Sequence, residues 1–175
     1  MTDIRTTAYA EALLAVARAE DDADRVTDEM FALGQAVESD EQLRSTLSDK
    51  RLPAERRTQV IEDILSGKAC DTTVATASMV VAAGRGAELP AIAREMARIS
   101  AAGTGAVVAE ARSAVPLTDD QVSRLAQALT QKLGREVTVR NIVDPTVMGG
   151  VVTQIGDEVI DGSVRSRLHQ LREAF

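Results

Sequence analysis

In the first hundred residues, apolar positions return every three or four places. Tyr9, Ala12, Leu13, Val16 and Ala17 form one apolar face, and Val26, Met30, Leu33 and Val37 form a second, as two successive helices would require. The acidic run Glu20-Asp21-Asp22 lies between them, where a connection and a helix N-terminus both tolerate carboxylates. Leu43 and Leu47 predict a short third helix. Pro53 suits the first turn of a fourth, whose inward side is Val60, Ile61, Ile64 and Leu65, and Ser66-Gly67 stops it. Leu89, Ile92, Met96 and Ile99 predict the last helix of this half.

The fifth helix of the series, Thr72–Ala83, breaks the pattern. TTVATASMVVAA carries no charge on any face, and a helix of that kind is normally central. A bundle this small cannot easily cover every side of it. Its Ala, Ser and Thr residues would leave a shallow groove in which another helix could lie closely.

Ala101-Ala102-Gly103-Thr104-Gly105 is small and flexible, and the period of the pattern changes after it, which sets domains at 1–105 and 106–175. Val107–Arg112 reads as a strand. Thr118-Asp119-Asp120-Gln121 is a capping box that opens a helix with Val122, Leu125, Leu129 and Leu133 inward and Gly134 as its stop. Glu136–Val143 is a second strand and Asp144-Pro145 a turn. Val151–Ile155 and Glu158–Ile160 then form a hairpin around Gly156-Asp157. Asp161-Gly162-Ser163 breaks the return strand and offers an N-cap. Val164, Leu168, Leu171 and Phe175 follow at helical spacing, with Arg165, Arg167 and Arg172 off that stripe. The expected fold is mainly α: an N-terminal six-helix bundle followed by a small α+β C-terminal domain.

The formal charge of −7 argues against a general nucleic-acid binder. With two Phe, one Tyr and no Trp there is no platform for stacking bases, and the cores must be aliphatic. Cys70 is alone, which rules out an internal disulfide and fits a reducing compartment. No apolar run reaches bilayer length, and no basic-then-apolar leader opens the chain, so an unprocessed, soluble protein is expected.

Candidate chemistry thins out on inspection. Gly149-Gly150 precedes a strand rather than a helix and no Lys-Ser/Thr follows, so it fails as a phosphate loop; close backbone approach at a strand entry explains it better. Asp157, Glu158 and Asp161 have turn and cap roles that leave little for a metal. His169 has no nucleophile or second His arranged with it. Cys70 reads as a small buried hydrophobe. Arg165, Arg167 and Arg172 are equally consistent with a docking surface and a solvated face. No catalytic residue, metal site or cofactor is expected, which points to binding.

The string Met148-Gly149-Gly150-Val151-Val152, then Gly156-Asp157, then Val159-Ile160-Asp161-Gly162-Ser163-Val164-Arg165 resembles the C-terminal signature of the ATP synthase delta subunit family, which includes the mitochondrial oligomycin-sensitivity-conferring protein. Tyr9-Ala10-Glu11-Ala12-Leu13 resembles that family's opening motif, although Thr7-Ala8 stand where a basic residue is expected. Ala83-Gly84-Arg85, with Leu89-Pro90, looks like the junction of its last two bundle helices. The resemblance implies a non-catalytic stator subunit. Its bundle would hold the N-terminal helix of an alpha subunit between the first and fifth helices, with Tyr9 and Ala12 on one wall and Thr76, Val80 and Ala83 on the other. Its C-terminal part would join the b subunits of the peripheral stalk, with Arg165, Arg167 and Arg172 as candidates. It also implies a peripheral place on the cytoplasmic face of a bacterial membrane, through the complex and without insertion. The alternatives are an unrelated adaptor for an amphipathic helix, and a small enzyme or nucleic-acid factor.

Overall fold

Helix α2 (Ala23–Ser39) shows how the pattern becomes packing: Val26, Met30 and Val37 lose all solvent contact and Leu33 nearly all of it. In the computed structural model, which describes residues 4–164, α1 (Ile4–Ala19) precedes it. Helices α3 (Glu41–Ser48), α4 (Ala54–Leu65), α5 (Asp71–Ala82) and α6 (Leu89–Gly103) follow, with a single 3-10 turn at Gly86–Glu88. Leu14, Leu47, Ile61, Val80, Ile92 and Met96 join α2 in one aliphatic core. Asp40 caps α3 by accepting from the amides of Gln42 and Leu43 at 2.9 and 3.0 Å. The 3-10 turn abuts α3 so closely that a Cβ on Gly86 would collide with the Leu47 carbonyl.

Helix α1 departs from the expected face. Ala10, Leu13, Leu14 and Ala17 are buried, whereas Ala12 and Val16 are exposed. So many of its residues are Ala, Leu or Val that the sequence offers two overlapping apolar stripes. Packing onto the bundle buries only one of them.

The described residues divide into two compact units between Ser100 and Ala101. In the second, β1 (Val107–Ser113), β2 (Val137–Val143), β3 (Val151–Ile155) and β4 (Glu158–Asp161) form a sheet in the order β2-β1-β3-β4. The β1–β2 pair is parallel, so it needs a crossover, which α7 (Asp119–Leu133) supplies; β1–β3 and β3–β4 are antiparallel. The capping box of α7 is formed in both directions, and Gly134 ends the helix in the left-handed conformation at φ 66°. Ala109, Ala111, Leu129, Val137 and Val139 are its core. Asn141, unremarked in the sequence, ties the unit together: its amide donates to the Ala111 carbonyl and Ser113 Oγ, both at 2.8 Å, while its Oδ1 accepts from Leu117 N at 2.9 Å.

Gly149 and Gly150 have φ of 75° and 78°, and a Cβ on Gly150 would stand 2.5 Å from the Gly162 carbonyl oxygen. The pair is therefore a backbone crossing between the entry to β3 and the exit of β4. Arg165, Arg167, His169 and Arg172, with the helix expected to carry them, lie outside the described residues.

Candidate functional site

Helices α1 and α5 pack side by side, and the two flanks of α1 differ in chemistry. Helical spacing puts Thr7, Glu11 and Arg18 on one flank. There the Thr7 hydroxyl donates to Glu95 Oε1 at 2.9 Å, and Arg98 donates to both oxygens of the same carboxylate at 2.9 and 2.7 Å. Glu95 is only 4% exposed. The Arg98 hydrogen bonds outweigh burial and, with Thr7, hold its carboxyl below the usual range. Tyr9, Ala12 and Val16 share the other flank. Tyr9 is half-buried, Ala12 is exposed and Val16 is 42% exposed.

Helix α5 turns Thr73, Thr76, Ala77, Val80 and Val81 into the bundle. Val80 is fully buried and Thr76 1% exposed, its hydroxyl donating to the Thr72 carbonyl at 2.6 Å. These two were expected on the wall of the groove and instead lie inside. Ala83 is exposed as expected, and it shares its face with Met79, four residues earlier and 54% exposed; Ala75 and Ala82 are exposed too. A helix with no polar side gives a sequence reader nothing by which to set its rotation, which is why Met79 was missed.

The end of α5 explains Ala83-Gly84-Arg85. The amides of Gly84 and Arg85 donate back to the Val81 and Val80 carbonyls at 2.9 and 3.1 Å, a Schellman closure with Gly84 at φ 75°. This closure delivers Arg85 to Tyr9, with the guanidinium carbon 4.3 Å from the ring centroid. Arg85 also pairs with Glu88 at 3.0 Å. The two sequence anchors thus meet. Beside them lies an open depression of about 500 Å³ bounded by Arg5, Ala8, Tyr9, Lys50, Ala83, Gly84, Arg85 and Glu88. Arg5 brings a base to the edge where Thr7-Ala8 lack one.

The other end of α5 is held by α2. Glu29 accepts from the Cys70 amide at 2.9 Å and from Arg25 at 2.8 Å, and Thr72 Oγ1 donates to Asp22 at 3.3 Å. Burial pushes the Glu29 carboxyl up, but hydrogen bonds from Thr73, Arg25 and Cys70 prevail and bring it down to about 2. A carboxylate against the first amides of α5 also complements the helix dipole.

Among the described residues no group of three or more His, Cys, Asp or Glu could hold a metal, and no helix is long and apolar enough to cross a membrane. Asp161 accepts from Ser163 N at 2.9 Å in a local turn. Cys70 is half-buried, its Sγ 3.2 Å from Thr73 Oγ1.

Residues 6–175 match the family model described as the ATP synthase delta (OSCP) subunit. The ATP synthase subunit delta of Rhodococcus opacus (strain B4) is 38% identical over 165 residues, 94% of this chain and 59% of that protein. That of Acidothermus cellulolyticus is 38% identical over 173 residues, covering 99% and 63%. That of Nocardia farcinica is 40% identical over 163 residues, covering 93% and 60%. The chain therefore spans about three-fifths of the length of these relatives. A chain of the Toxoplasma gondii mitochondrial ATP synthase hexamer shares the fold, with a TM-score of 0.60 at 18% identity over 98% of this chain and 97% of that one.

Proposed function

The chain belongs to the ATP synthase delta (OSCP) subunit family, and from that premise we propose that it is a non-catalytic stator subunit of an F-type ATP synthase. Its first unit holds the N-terminal helix of an alpha subunit, and its second joins the b subunits of the peripheral stalk. The catalytic head is then kept from turning while the rotor turns within it. The complex carries the subunit to the cytoplasmic face of a bacterial membrane without any insertion of its own.

The observation that carries this reading is the uncovered apolar strip of Ala12 and Val16 on α1 with Met79, Ala82 and Ala83 on α5. Small residues let a third helix approach closely, and Val16 and Met79 would each gain about 1 kcal/mol from completing their burial. Thr76 and Val80 support the strip from beneath. The second unit offers a matching feature. Val115 follows β1, Val143 ends β2, Met148 precedes β3, and Val164 follows β4. All four therefore gather at one end of the sheet, between 48% and 69% exposed. That apolar end is the proposed contact with b, and Arg165, Arg167 and Arg172, which follow Val164 in the sequence, remain candidates for the same contact.

Inverted membrane vesicles depleted of the chain should lose proton-driven ATP synthesis while the head keeps hydrolysing ATP. Adding the purified chain back should restore synthesis. Undiminished synthesis after depletion would refute the stator role, and ATP turnover by the purified chain would refute the non-catalytic one.

A further inference from the structure

We infer that the N-terminus of α4 is an oxyanion site of the phosphate class, with Arg57 as its cation. The inference is independent of the helix-docking reading. Arg57 is 6% exposed, on the face of α4 that also buries Ile61 and Leu65. Its Nε and Nη1 are enclosed and have no hydrogen-bond partner. Among the described residues it takes part in no ion pair. Burying a cation without an acceptor is costly, and an apolar side chain of similar volume in its place is usually neutral or stabilising. Arg57 is thus an uncompensated charge that an arriving anion would relieve.

Helix geometry directs that charge at the end of α4. A helical Cα–Cβ bond tilts toward the N-terminus, and a long side chain lies over the residues three and four places before its own. For Arg57 these are Ala54 and Pro53. Pro53 is the N-cap and provides no side-chain hydrogen bond to the helix. Its carbonyl accepts from the Arg56 and Arg57 amides at 3.1 and 3.3 Å. The Ala54 and Glu55 amides precede any intrahelical acceptor, so they face outward at the positive end of the helix dipole. Two backbone donors and a guanidinium suit a tetrahedral oxyanion with several acceptor oxygens. Nη2 is the guanidinium nitrogen outside the enclosed set, and it is the one a ligand would meet. The flanking charge agrees: Lys50, Arg51 and Arg56 are exposed and, like Arg57, in no ion pair among the described residues. Of the two carboxylates in the same stretch, Asp49 accepts from the Arg51 amide at 2.9 Å and Glu55 is exposed.

The test titrates the isotope-labelled full chain with inorganic phosphate at constant ionic strength and follows the backbone amides by NMR. Those of Ala54 and Glu55 should shift together and saturate with a millimolar midpoint, and acetate should bind several-fold more weakly. Glycerol phosphate distinguishes the sources of the group: tighter binding than inorganic phosphate assigns the site to a phosphorylated molecule, and weaker binding assigns it to the free ion. Arg57→Met should weaken phosphate about tenfold or more. In phosphate-free buffer the same variant should melt no lower than wild type, because it removes a buried charge that has no partner. Phosphate should then raise the melting temperature of wild type and leave that of the variant nearly unchanged. Ala54 and Glu55 amides that do not move, or that move with the same midpoint in Arg57→Met, would overturn the site. Equal rises in the two melts would overturn it as well, since phosphate stabilises folded proteins generally through exclusion from their surface. A variant that melts far below wild type without phosphate would show that Arg57 holds the fold together, and would overturn its role as the waiting cation.

Discussion

Glu29→Gln isolates what holds the groove wall in place. In the folded chain the Glu29 carboxyl titrates at about 2 instead of 4.5, and its side chain is 19% exposed. A depressed carboxylate stabilises the fold fully above its unfolded pKa and loses that contribution as pH falls through the folded value. The window here runs from about 4.5 down to about 2. A drop of that size corresponds to roughly 3 kcal/mol. Arg25, one of the donors, is 60% exposed, so solvent screens its share, and about 2 kcal/mol is the expected loss at neutral pH. Gln keeps the shape and one acceptor for the Cys70 amide while removing the charge. Urea unfolding of both proteins across pH 2–7 is the assay. The stability gap should be widest at pH 7 and should close toward pH 2, where wild type has lost the same charge. A gap that stays constant with pH, or none at pH 7, would refute the clamp as the source of the stability.

Val80→Asp should cost more than about 4 kcal/mol and collapse the thermal melt, because it puts an unpaired charge at a fully buried position. Gly150→Ala should destabilise the second unit by about 2 kcal/mol or more, since it combines a positive φ with a Cβ 2.5 Å from a carbonyl oxygen; chemical denaturation measures it. Residues 1–105 made alone should give a helical, cooperatively melting fragment by circular dichroism, because the first apolar core draws only on residues within that span.

What could be read in the sequence was what local chemistry decides. Val26, Met30, Leu33 and Val37 are set in a helix whose other residues are mostly polar, so one stripe stood out and proved to be the core face. The Thr118–Gln121 box and the Gly156-Asp157 turn are short-range devices whose residues specify their own geometry. Rotation was harder wherever the apolar residues went all the way round. On α1 that hid the burial of Ala10 and Leu14 and the exposure of Val16, and on α5 it misplaced Thr76 and Val80 and concealed Met79. Long-range polar links left no trace at all. Glu29 reaches Cys70 across 41 residues, and Asn141 reaches Ala111 across 30, through contacts that only the fold creates. The Tyr9–Arg85 contact belongs to the same class, although each residue separately carried a family resemblance.

The strip on α1 and α5 is tested most directly by titrating an alpha-subunit N-terminal peptide against the full chain carrying Val16→Asp or Met79→Asp. Val159→Asp, an exposed apolar position on β4, serves as the control. A charge set into a contact that loses its water costs several kcal/mol, so each strip variant should bind about a hundredfold more weakly or worse, with its melt unchanged. The Val159→Asp protein should bind as wild type does. Equal affinity across all four proteins, with intact melts throughout, would contradict the account, because the uncovered apolar face between α1 and α5 would then not be where the partner helix lies.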